Sequence, residues 1–332
     1  MRVAVFSAKK YERELLTSAN VARGHALTFF DSMLEPETAS LASGFPAVCV
    51  FVNDRADAQT IGILASGGTR LIATRSTGFN HIDLKAAAAH GVEVVRVVEY
   101  SPYSVAEFAV GLLLTLNRKI HRAYNRTRDG NFELDGLMGQ DLHGCCVGLI
   151  GTGKIGRVFA GIMRGFGCEV LGYDKVPHPE FVAADGRYES LERIYDRADF
   201  VSLHCPLTPE THHIINARTL DMMKSGVLLV NTSRGGLIDT EAAIEALKSG
   251  RLGGLAIDVY EQEADLFFQD LSSEIIADDV IQRLVSFPNA IVTGHQAFFT
   301  REAVGTIVAT TLESIADFEA RRPLRNRVTL SQ

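Results

Sequence analysis

No two cysteines in this 332-residue sequence have the C-x-x-C spacing of a redox or metal-binding motif. The five that are present lie mostly inside apolar runs, at Cys49, Cys145, Cys146, Cys168 and Cys205. Cysteines in such surroundings are typical of reduced, buried thiols. A disulfide between the adjacent Cys145 and Cys146 is disfavoured, because consecutive strand residues point to opposite faces. The ten histidines include no H-E-x-x-H or similar ligand spacing, so the sequence predicts no metal site.

The sequence also lacks a long hydrophobic run and an excess of basic residues. The longest apolar stretch, near Phe108 to Leu114, is too short to span a bilayer, and the residues from Met1 to Phe6 resemble an opening strand rather than a signal peptide. A net charge of −7 and a pI near 5.8 argue against binding to nucleic acid or to an anionic membrane, since both need a basic face. We therefore expect a soluble cytoplasmic protein with no nucleic-acid or membrane partner. Any anionic substrate must be held by local cations.

Two domains are expected, because a chain of this length with 46% hydrophobic residues can bury more than one core. In the first hundred residues, short apolar runs alternate with helix-like stretches. The candidate strands are Val3–Phe6, Leu27–Phe30, Ala47–Val52, Leu71–Thr74 and Val92–Val97. The candidate helices between them include Lys10–Asn20, Ala56–Ala65 and Leu84–His90. The alternation predicts a parallel sheet with helices on both faces.

The pattern changes at Ser101 and Pro102. The proline suits the first turn of a helix, and the residues from Ser104 to Glu107 have the spacing of a capping box, so a long helix is predicted through Leu116. We expect the chain to cross between domains here. Three arginines follow at every fourth position and predict a cationic helical face, either solvated or between subunits: Arg118, Arg122 and Arg126.

Gly151, Gly153 and Gly156 form the pattern G-x-G-x-x-G directly after the apolar run Val147–Ile150. Such a loop, between a strand and a helix, brings backbone N–H groups and the positive helix end up to a pyrophosphate. A second apolar run ends in Asp174, about 20 residues beyond the glycines. A carboxylate there accepts hydrogen bonds from both ribose hydroxyls and repels a 2′-phosphate. The sequence therefore predicts a dinucleotide site that favours NAD over NADP.

The glycine motif begins a second alternating series, whose predicted strands end near Gly151, Asp174, His204, Asn231, Asp258 and Gly294. Because this series starts well inside the chain and stops before its end, it predicts an inserted domain. The expected fold class is α/β, with two doubly wound parallel-sheet domains: a flavodoxin-like substrate domain and a Rossmann-type NAD domain inserted into it. We expect residues 1–100 and 299–332 to form the substrate-binding (catalytic) domain and residues 101–298 the NAD-binding domain. The two crossings would form a hinge over a cleft.

Polar residues follow three of these predicted strands at their carboxyl ends, where ligands bind in a doubly wound sheet. Arg234 lies in the stretch after Val227–Val230, Glu263 follows Leu255–Val259, and His295 follows Ile291–Thr293. We expect all three on the rim that holds the nicotinamide.

This set of residue types suits the reduction of a 2-oxo acid by hydride transfer, which needs a proton donor at the carbonyl oxygen and a cation for the carboxylate. His295 would be the acid/base. Arg234, with its planar fork, would orient the substrate and polarise the carbonyl. Glu263, in contact with the second imidazole nitrogen, would fix the tautomer and favour the imidazolium.

From near its first residue to nearly its last, the chain resembles the D-isomer-specific 2-hydroxyacid dehydrogenases, and among them the bacterial fermentative D-lactate dehydrogenases. The matching motifs include Phe51-Val52-Asn53-Asp54, Gly78-Phe79-Asn80, Val201 to Thr208, Asn231 to Gly235, Asp258-Val259-Tyr260-Glu261 and Gly294 to Phe298. By this resemblance Arg234, Glu263 and His295 take the catalytic places.

The resemblance also implies contacts with NAD and with substrate. Lys154 and Ile155 would contact the pyrophosphate through backbone groups, beside the ribose contact of Asp174. The other implied cofactor positions are Cys205, Pro206 and Thr211 in the cofactor cleft, Thr232 and Ser233 beside the nicotinamide ribose, and Asp258 at the carboxamide. The implied substrate positions are the N–H groups of Thr77, Gly78 and Phe79 around the carboxylate, and Phe51, Tyr100 and Phe298 as pocket walls.

The expected reaction is reversible hydride transfer from NADH to pyruvate, giving D-lactate in fermentation. Small, apolar pocket walls suit pyruvate. A reductase of glyoxylate, hydroxypyruvate or phenylpyruvate is an alternative, and so is an NADH-sensing corepressor that binds partner peptides. The resemblance further implies a homo-oligomer, either a dimer or a dimer-based assembly, formed through the central domain.

Overall fold

The computed structural model describes residues 1–263 and 266–330. The chain folds into two compact units, of which the second is Pro102–Phe299 and the first comprises Met1–Ser101 together with the chain from Thr300 onward. The second unit is therefore one uninterrupted stretch of sequence. The first unit is assembled from segments on either side of it.

The first unit contains a five-stranded sheet in which every pairing is parallel. Its strands are β1 (Arg2–Val5), β2 (Ala26–Phe29), β3 (Ala47–Val50), β4 (Leu71–Thr74) and β5 (Glu93–Val95), in the order β2-β1-β3-β4-β5. Its first helices are α1 (Lys10–Asn20), α2 (Ala58–Ser66) and α3 (Leu84–Ala89), with a 3-10 turn at Ala39–Ala42. This is the strand order of flavodoxin-like folds. The predicted parallel sheet is confirmed.

The second unit contains a seven-stranded sheet, also parallel at each pairing, in the order β12-β11-β10-β9-β6-β7-β8. Its strands are β6 (Cys146–Ile150), β7 (Glu169–Tyr173), β8 (Arg187–Tyr188), β9 (Phe200–Leu203), β10 (Val227–Asn231), β11 (Leu252–Ile257) and β12 (Ala290–Val292). The order reverses at β6, which has β7 on one side and β9 on the other. A reversal of this kind opens a crevice at the carboxyl ends of the two strands.

The helices of the second unit are α4 (Pro102–Arg118), α5 (Ile120–Arg128), α6 (Lys154–Gly165), α7 (Pro179–Ala183), α8 (Leu191–Arg197), α9 (Ala217–Met222), α10 (Thr240–Lys248) and α11 (Asp279–Val285), with a 3-10 turn at Gly235–Leu237. The chain then returns to the first unit as α12 (Arg301–Glu319), which packs against α1 and β4. Strands β3, β4, β6 and β9 are buried along their whole length, since helices cover both faces of each sheet.

The long helix α4 has Pro102 in its first turn as predicted, but the predicted capping box is wrong and the helix continues two residues past Leu116. It begins at Pro102, so Ser104 lies inside the first turn and is not the N-cap. Proline has a backbone φ suited to the first helical position and can begin the helix there. The helix ends at Arg118 because Lys119 adopts a left-handed φ of +51°. Arg118 is thus on α4, whereas Arg122 and Arg126 are on α5, and the predicted single cationic face is wrong.

Within the described residues, no helix is long and apolar enough to cross a membrane. All five cysteines are free thiols, and four of them are buried.

Candidate active site

The glycine motif forms the loop between β6 and α6. Gly151 has a φ of +100°, and a Cβ added there would lie 2.4 Å from the backbone nitrogen of Cys205. A Cβ on Gly156 would lie 2.1 Å from the Gly151 carbonyl oxygen. At Gly153, by contrast, an added Cβ meets no described protein atom within 4 Å. The loop is therefore packed tightly on the protein side and open at Gly153, as close approach of a pyrophosphate requires.

Asp174 lies just past β7, beside this loop. Its Oδ2 accepts hydrogen bonds from the backbone N–H of Thr152 (2.7 Å) and from the Thr152 hydroxyl (3.2 Å), and its Oδ1 accepts from the N–H of Val176 (3.2 Å). The neighbouring Lys175 forms an ion pair of 3.2 Å with Glu210. The Thr208 hydroxyl, the backbone N–H of Glu210 itself and Lys175 lower the pKa of Glu210 to about 2. Asp174 is thus oriented by the loop that it faces.

An Asp174→Ser variant should lose affinity for NADH and shift its preference toward NADPH. The carboxylate holds the Thr152 N–H and is predicted to bind ribose. One hydrogen bond to a charged group is worth about 1.5–3 kcal/mol, or roughly tenfold to hundredfold in binding. Steady-state kcat/KM with each cofactor measures the effect. Asp185→Ser, at an exposed carboxylate paired with Arg164, is the matched control. An unchanged NADPH-to-NADH ratio in Asp174→Ser would contradict the assignment.

Arg234 lies in a turn at the end of β10. The side chain of Asn231 stabilises this turn through hydrogen bonds to its backbone. The Asn231 side chain is fully buried; its Nδ2 donates to the Arg234 carbonyl (2.8 Å) and its Oδ1 accepts from the Ser233 N–H (3.0 Å). The Ser233 hydroxyl donates to the Cys205 carbonyl (2.7 Å), which joins this turn to the loop after β9. Arg234 itself is half-buried and its Nη1 donates to the Ser233 carbonyl (2.7 Å).

The turn that carries Arg234 packs directly on the segment that leads to Glu263. A Cβ on Gly235 would lie 2.1 Å from the Tyr260 carbonyl carbon, so only glycine permits this approach. The neighbouring Glu261 accepts hydrogen bonds from the N–H of Thr240 (3.0 Å) and from its hydroxyl (2.5 Å), and its other oxygen lies 2.7 Å from Nε2 of His213. Close packing and hydrogen bonds therefore connect the segments that follow β10 and β11.

Glu263 and His295 are in contact, as their places at two neighbouring strand ends predict. His295 Nδ1 lies 3.0 Å from Glu263 Oε1, a geometry in which the ionised carboxylate accepts the Nδ1–H. The second carboxylate oxygen accepts from the Tyr260 N–H (3.1 Å). Burial raises the pKa of Glu263, but the hydrogen bond and charge of His295, the Tyr260 N–H and the charge of Arg234 outweigh it and hold the pKa below its usual value. Glu263 is therefore a carboxylate at neutral pH.

Asp258 supports the turn that carries His295. It is fully buried; its Oδ1 accepts from the Thr293 hydroxyl (2.5 Å) and the Gln296 N–H (2.9 Å), and its Oδ2 accepts from the Ala297 N–H (2.7 Å). Burial raises the pKa of Asp258 in spite of these donors. The turn places His295 at a left-handed φ of +53°. The resemblance implies a carboxamide contact for Asp258, and the structure adds a second role that the sequence pattern did not predict, the support of the turn that carries His295.

The remaining predicted cofactor residues follow the carboxyl ends of β9 and β10. The Thr211 hydroxyl donates to the Pro206 carbonyl (2.6 Å) and fixes the loop after β9. Burial raises the pKa of the Cys205 thiol to about 11. Thr232 is buried, and its hydroxyl has no hydrogen-bond partner among the described residues. An unpartnered buried hydroxyl beside Arg234 fits a site whose missing partner is a polar cofactor group.

The predicted carboxylate loop lies in the first unit, after β4. The Ser76 hydroxyl donates to the Gly78 carbonyl (2.6 Å), Arg96 donates to the Thr77 carbonyl (3.1 Å), and the same guanidinium lies 5.0 Å from the centre of the Phe79 ring. The carbonyl groups of the loop are thus engaged by protein donors.

The predicted pocket walls divide between the two units. Phe51 follows β3 and is buried, with its N–H donating to the buried Asp54 (2.6 Å). Tyr100 also belongs to the first unit, and Phe298 to the second, where its ring contacts Phe299.

The two folds and the features at the strand ends of the second unit define a class of protein. An open glycine loop, an acidic residue at the end of the next strand, and an arginine with a histidine–carboxylate pair at later strand ends are the parts of a nicotinamide-dependent oxidoreductase. Among the described residues, no group of three or more histidines, cysteines or carboxylates is arranged to hold a metal ion.

Comparisons with known proteins narrow this class. A sequence model of the family described as "D-isomer specific 2-hydroxyacid dehydrogenase, NAD binding domain" matches residues 110–297. A protein named 2-hydroxyacid dehydrogenase homolog 1 from Schizosaccharomyces pombe is 52% identical over 322 residues, 97% of each chain. The chain belongs to the D-isomer-specific 2-hydroxyacid dehydrogenase family.

Solved structures agree with this membership. The apo-structure of D-lactate dehydrogenase from Escherichia coli matches with a TM-score of 0.92 at 45% identity, over 99% of this chain and 100% of the other. The pyruvate reductase of Chlamydomonas reinhardtii matches with a TM-score of 0.94 at 44% identity, over 98% of each chain. The predictions of an enzyme, of NAD as its cofactor and of the family are confirmed.

Proposed function

We propose that this protein is a D-lactate dehydrogenase, which reduces pyruvate to D-lactate with NADH and catalyses the reverse reaction. The observation that carries the proposal is the contact of 3.0 Å between His295 and Glu263, with the charge of Arg234 acting on the same carboxylate. Relatives named D-lactate dehydrogenase and pyruvate reductase support pyruvate as the substrate.

In the proposed mechanism, two side chains act on pyruvate and a third acts on the imidazole of His295. Arg234 binds the substrate carboxylate and polarises the carbonyl. Bound NADH supplies the hydride that forms the new C–H bond. His295 donates its proton to the carbonyl oxygen, so that one hydride and one proton convert the ketone into the alcohol. Glu263 accepts the Nδ1–H, which leaves Nε2 to face the substrate and stabilises the imidazolium before transfer.

The supporting roles follow the same proposal. Residues 101–298 would bind NAD, through the backbone of Lys154 and Ile155, the carboxylate of Asp174 and the hydroxyl of Thr232. Residues 1–100 and 299–332 would bind substrate, with the N–H groups of Thr77, Gly78 and Phe79 on the carboxylate. The other cofactor and wall positions keep their predicted roles: Cys205, Pro206, Thr211, Ser233, Asp258, Phe51, Tyr100 and Phe298.

One assay tests the proposed substrate. NADH oxidation is followed with pyruvate, glyoxylate, hydroxypyruvate and phenylpyruvate, and the product from pyruvate is resolved on a chiral column. The proposal requires the highest kcat/KM with pyruvate and D-lactate as the product. Preference for another 2-oxo acid would assign a different substrate to the same site, and NADH binding without any turnover would favour a sensor.

A Glu263→Gln variant should reduce pyruvate with a kcat about tenfold lower at neutral pH, and its activity should fail at a lower pH than that of the parent. The ionised carboxylate accepts the Nδ1–H and its charge interacts with that of His295, so the variant lacks a charge that favours the proton-donating form. The pH dependence of kcat measures this. Glu261→Gln is the matched control, because Glu261 contacts His213. This variant should lose activity at the same alkaline pH as the parent. Coincident profiles for Glu263→Gln and the parent would contradict the coupling.

We also propose a homo-oligomer in the cytoplasm. The segment from α5 onward exposes large apolar side chains that a second copy would cover: Ile120, Tyr124, Phe132, Leu134 and Met138. A Phe132→Asp variant should dissociate at protein concentrations where the parent is a dimer or larger. Light scattering after size exclusion measures the mass, and an unchanged mass would exclude this surface.

A further inference from the structure

Phe268 has a backbone conformation that aromatic residues avoid. It lies between β11 and α11, with a φ of +65°, in the left-handed region. A bulky side chain in this region is disfavoured, and it persists where the surrounding structure imposes it. The two residues before it, Leu266 and Phe267, donate their N–H groups to the carbonyl of Glu263 (3.1 and 2.9 Å).

The ring of Phe268 lies against the imidazole of His295. The two ring centres are 5.8 Å apart and the planes are inclined by 35°. The imidazole of His295 therefore contacts the carboxylate of Glu263 at Nδ1 and also the ring of Phe268. The adjacent Phe267 is buried within the apolar core of the second unit, whereas Phe268 is only partly buried and packs against the edge of that core.

The hydrogen bond at Nδ1 fixes one nitrogen of the imidazole and leaves the ring a limited freedom of tilt through small changes in χ1 and χ2. An aromatic ring packed on the imidazole removes this freedom, since tilted aromatic pairs prefer a defined separation and angle. Proton transfer in turn requires that Nε2 stay within hydrogen-bond reach of the carbonyl oxygen.

We infer that Phe268 is a positioning residue for His295, and that its ring sets the tilt at which the imidazole meets the substrate carbonyl. The inference rests on the proposed function, because it gives His295 the role of acid. It also accounts for the left-handed backbone, which turns the ring toward the imidazole at a cost in local stability. The sequence-based reasoning did not single out this residue.

The test separates positioning from folding. Phe268→Gly removes the ring, which packs at the edge of the core, but also relieves the left-handed strain, so its Tm should fall less than that of Phe267→Ala while kcat falls about tenfold to hundredfold. The Kd for NADH should not change. The solvent deuterium isotope effect on kcat should rise, because proton transfer becomes more rate-limiting. Phe268→Tyr keeps the ring and should retain most of the turnover.

Two control variants complete the design. Arg321→Gly relieves a left-handed φ of +52° in the first unit and should leave kcat unchanged. Phe267→Ala removes a buried ring, leaves a cavity in the core and should lower Tm. A parental kcat in Phe268→Gly, or a loss of Tm as large as in Phe267→Ala without a change in the isotope effect, overturns the inference. His295→Gln in the same assay distinguishes the two failures, because parental turnover there would defeat the proposed function itself.

Discussion

A His295→Gln variant should lose between about 10² and 10⁴ of its kcat for pyruvate reduction and still bind NADH. Removing a positioned acid forfeits this much, because the proton must then come from water. Glutamine is of similar length and can still contact Glu263, so the loss would report the missing proton rather than a collapsed loop. NADH oxidation measures kcat, and quenching or enhancement of cofactor fluorescence measures binding.

His90→Gln is the control for this variant, since His90 is exposed and follows α3 in the first unit. It should have parental turnover. If His295→Gln folded, bound NADH and turned over pyruvate at a near-parental rate, His295 would not be the acid, and the assignment of Glu263 would fall with it.

An Arg234→Lys variant should lose about 10² to 10⁴ in kcat/KM for pyruvate. Lysine keeps the charge but lacks the planar fork, and two hydrogen bonds to a charged group are worth about 1.5–3 kcal/mol each. We expect both a higher KM, from the carboxylate contact, and a lower kcat, from the lost polarisation of the carbonyl. Initial rates over a range of pyruvate concentrations separate the two terms.

Arg193→Lys is the matched control, because Arg193 is on α8, is largely exposed and pairs only loosely with Asp196 at 3.5 Å. Chemical rescue adds a second criterion: guanidinium ions should restore part of the turnover of Arg234→Ala. Equal kinetics for Arg234→Lys and the parent would remove Arg234 from the substrate site.

The fold was largely predictable because its signals are local. Buried parallel strands are continuous apolar runs, and the six strand ends predicted for the second unit fall within two residues of those in the structure. Strand β8 was missed, since its two residues, Arg187 and Tyr188, are too few to form a pattern. The break at Lys119 was missed as well, because no residue type that favours a left-handed φ marks it.

The contact between Glu263 and His295 followed from counting strand ends, since the carboxyl ends of neighbouring parallel strands meet at one edge. The supporting residues could not be found in this way. Asp258 binds the turn of His295 through backbone N–H groups, and Phe268 reaches the imidazole through an unfavoured φ. Both depend on tertiary geometry that sequence periodicity does not encode.

The interrupted first unit has a consequence for how the chain is made. The second unit ends at Phe299, so all its strands are synthesised before α12. The first unit cannot finish until α12 arrives to cover α1 and β4. We therefore expect vectorial folding, with the later-starting unit maturing first. A chain stopped at Phe299 should still bind NADH but lack turnover, and loss of both properties would show that the two units mature together.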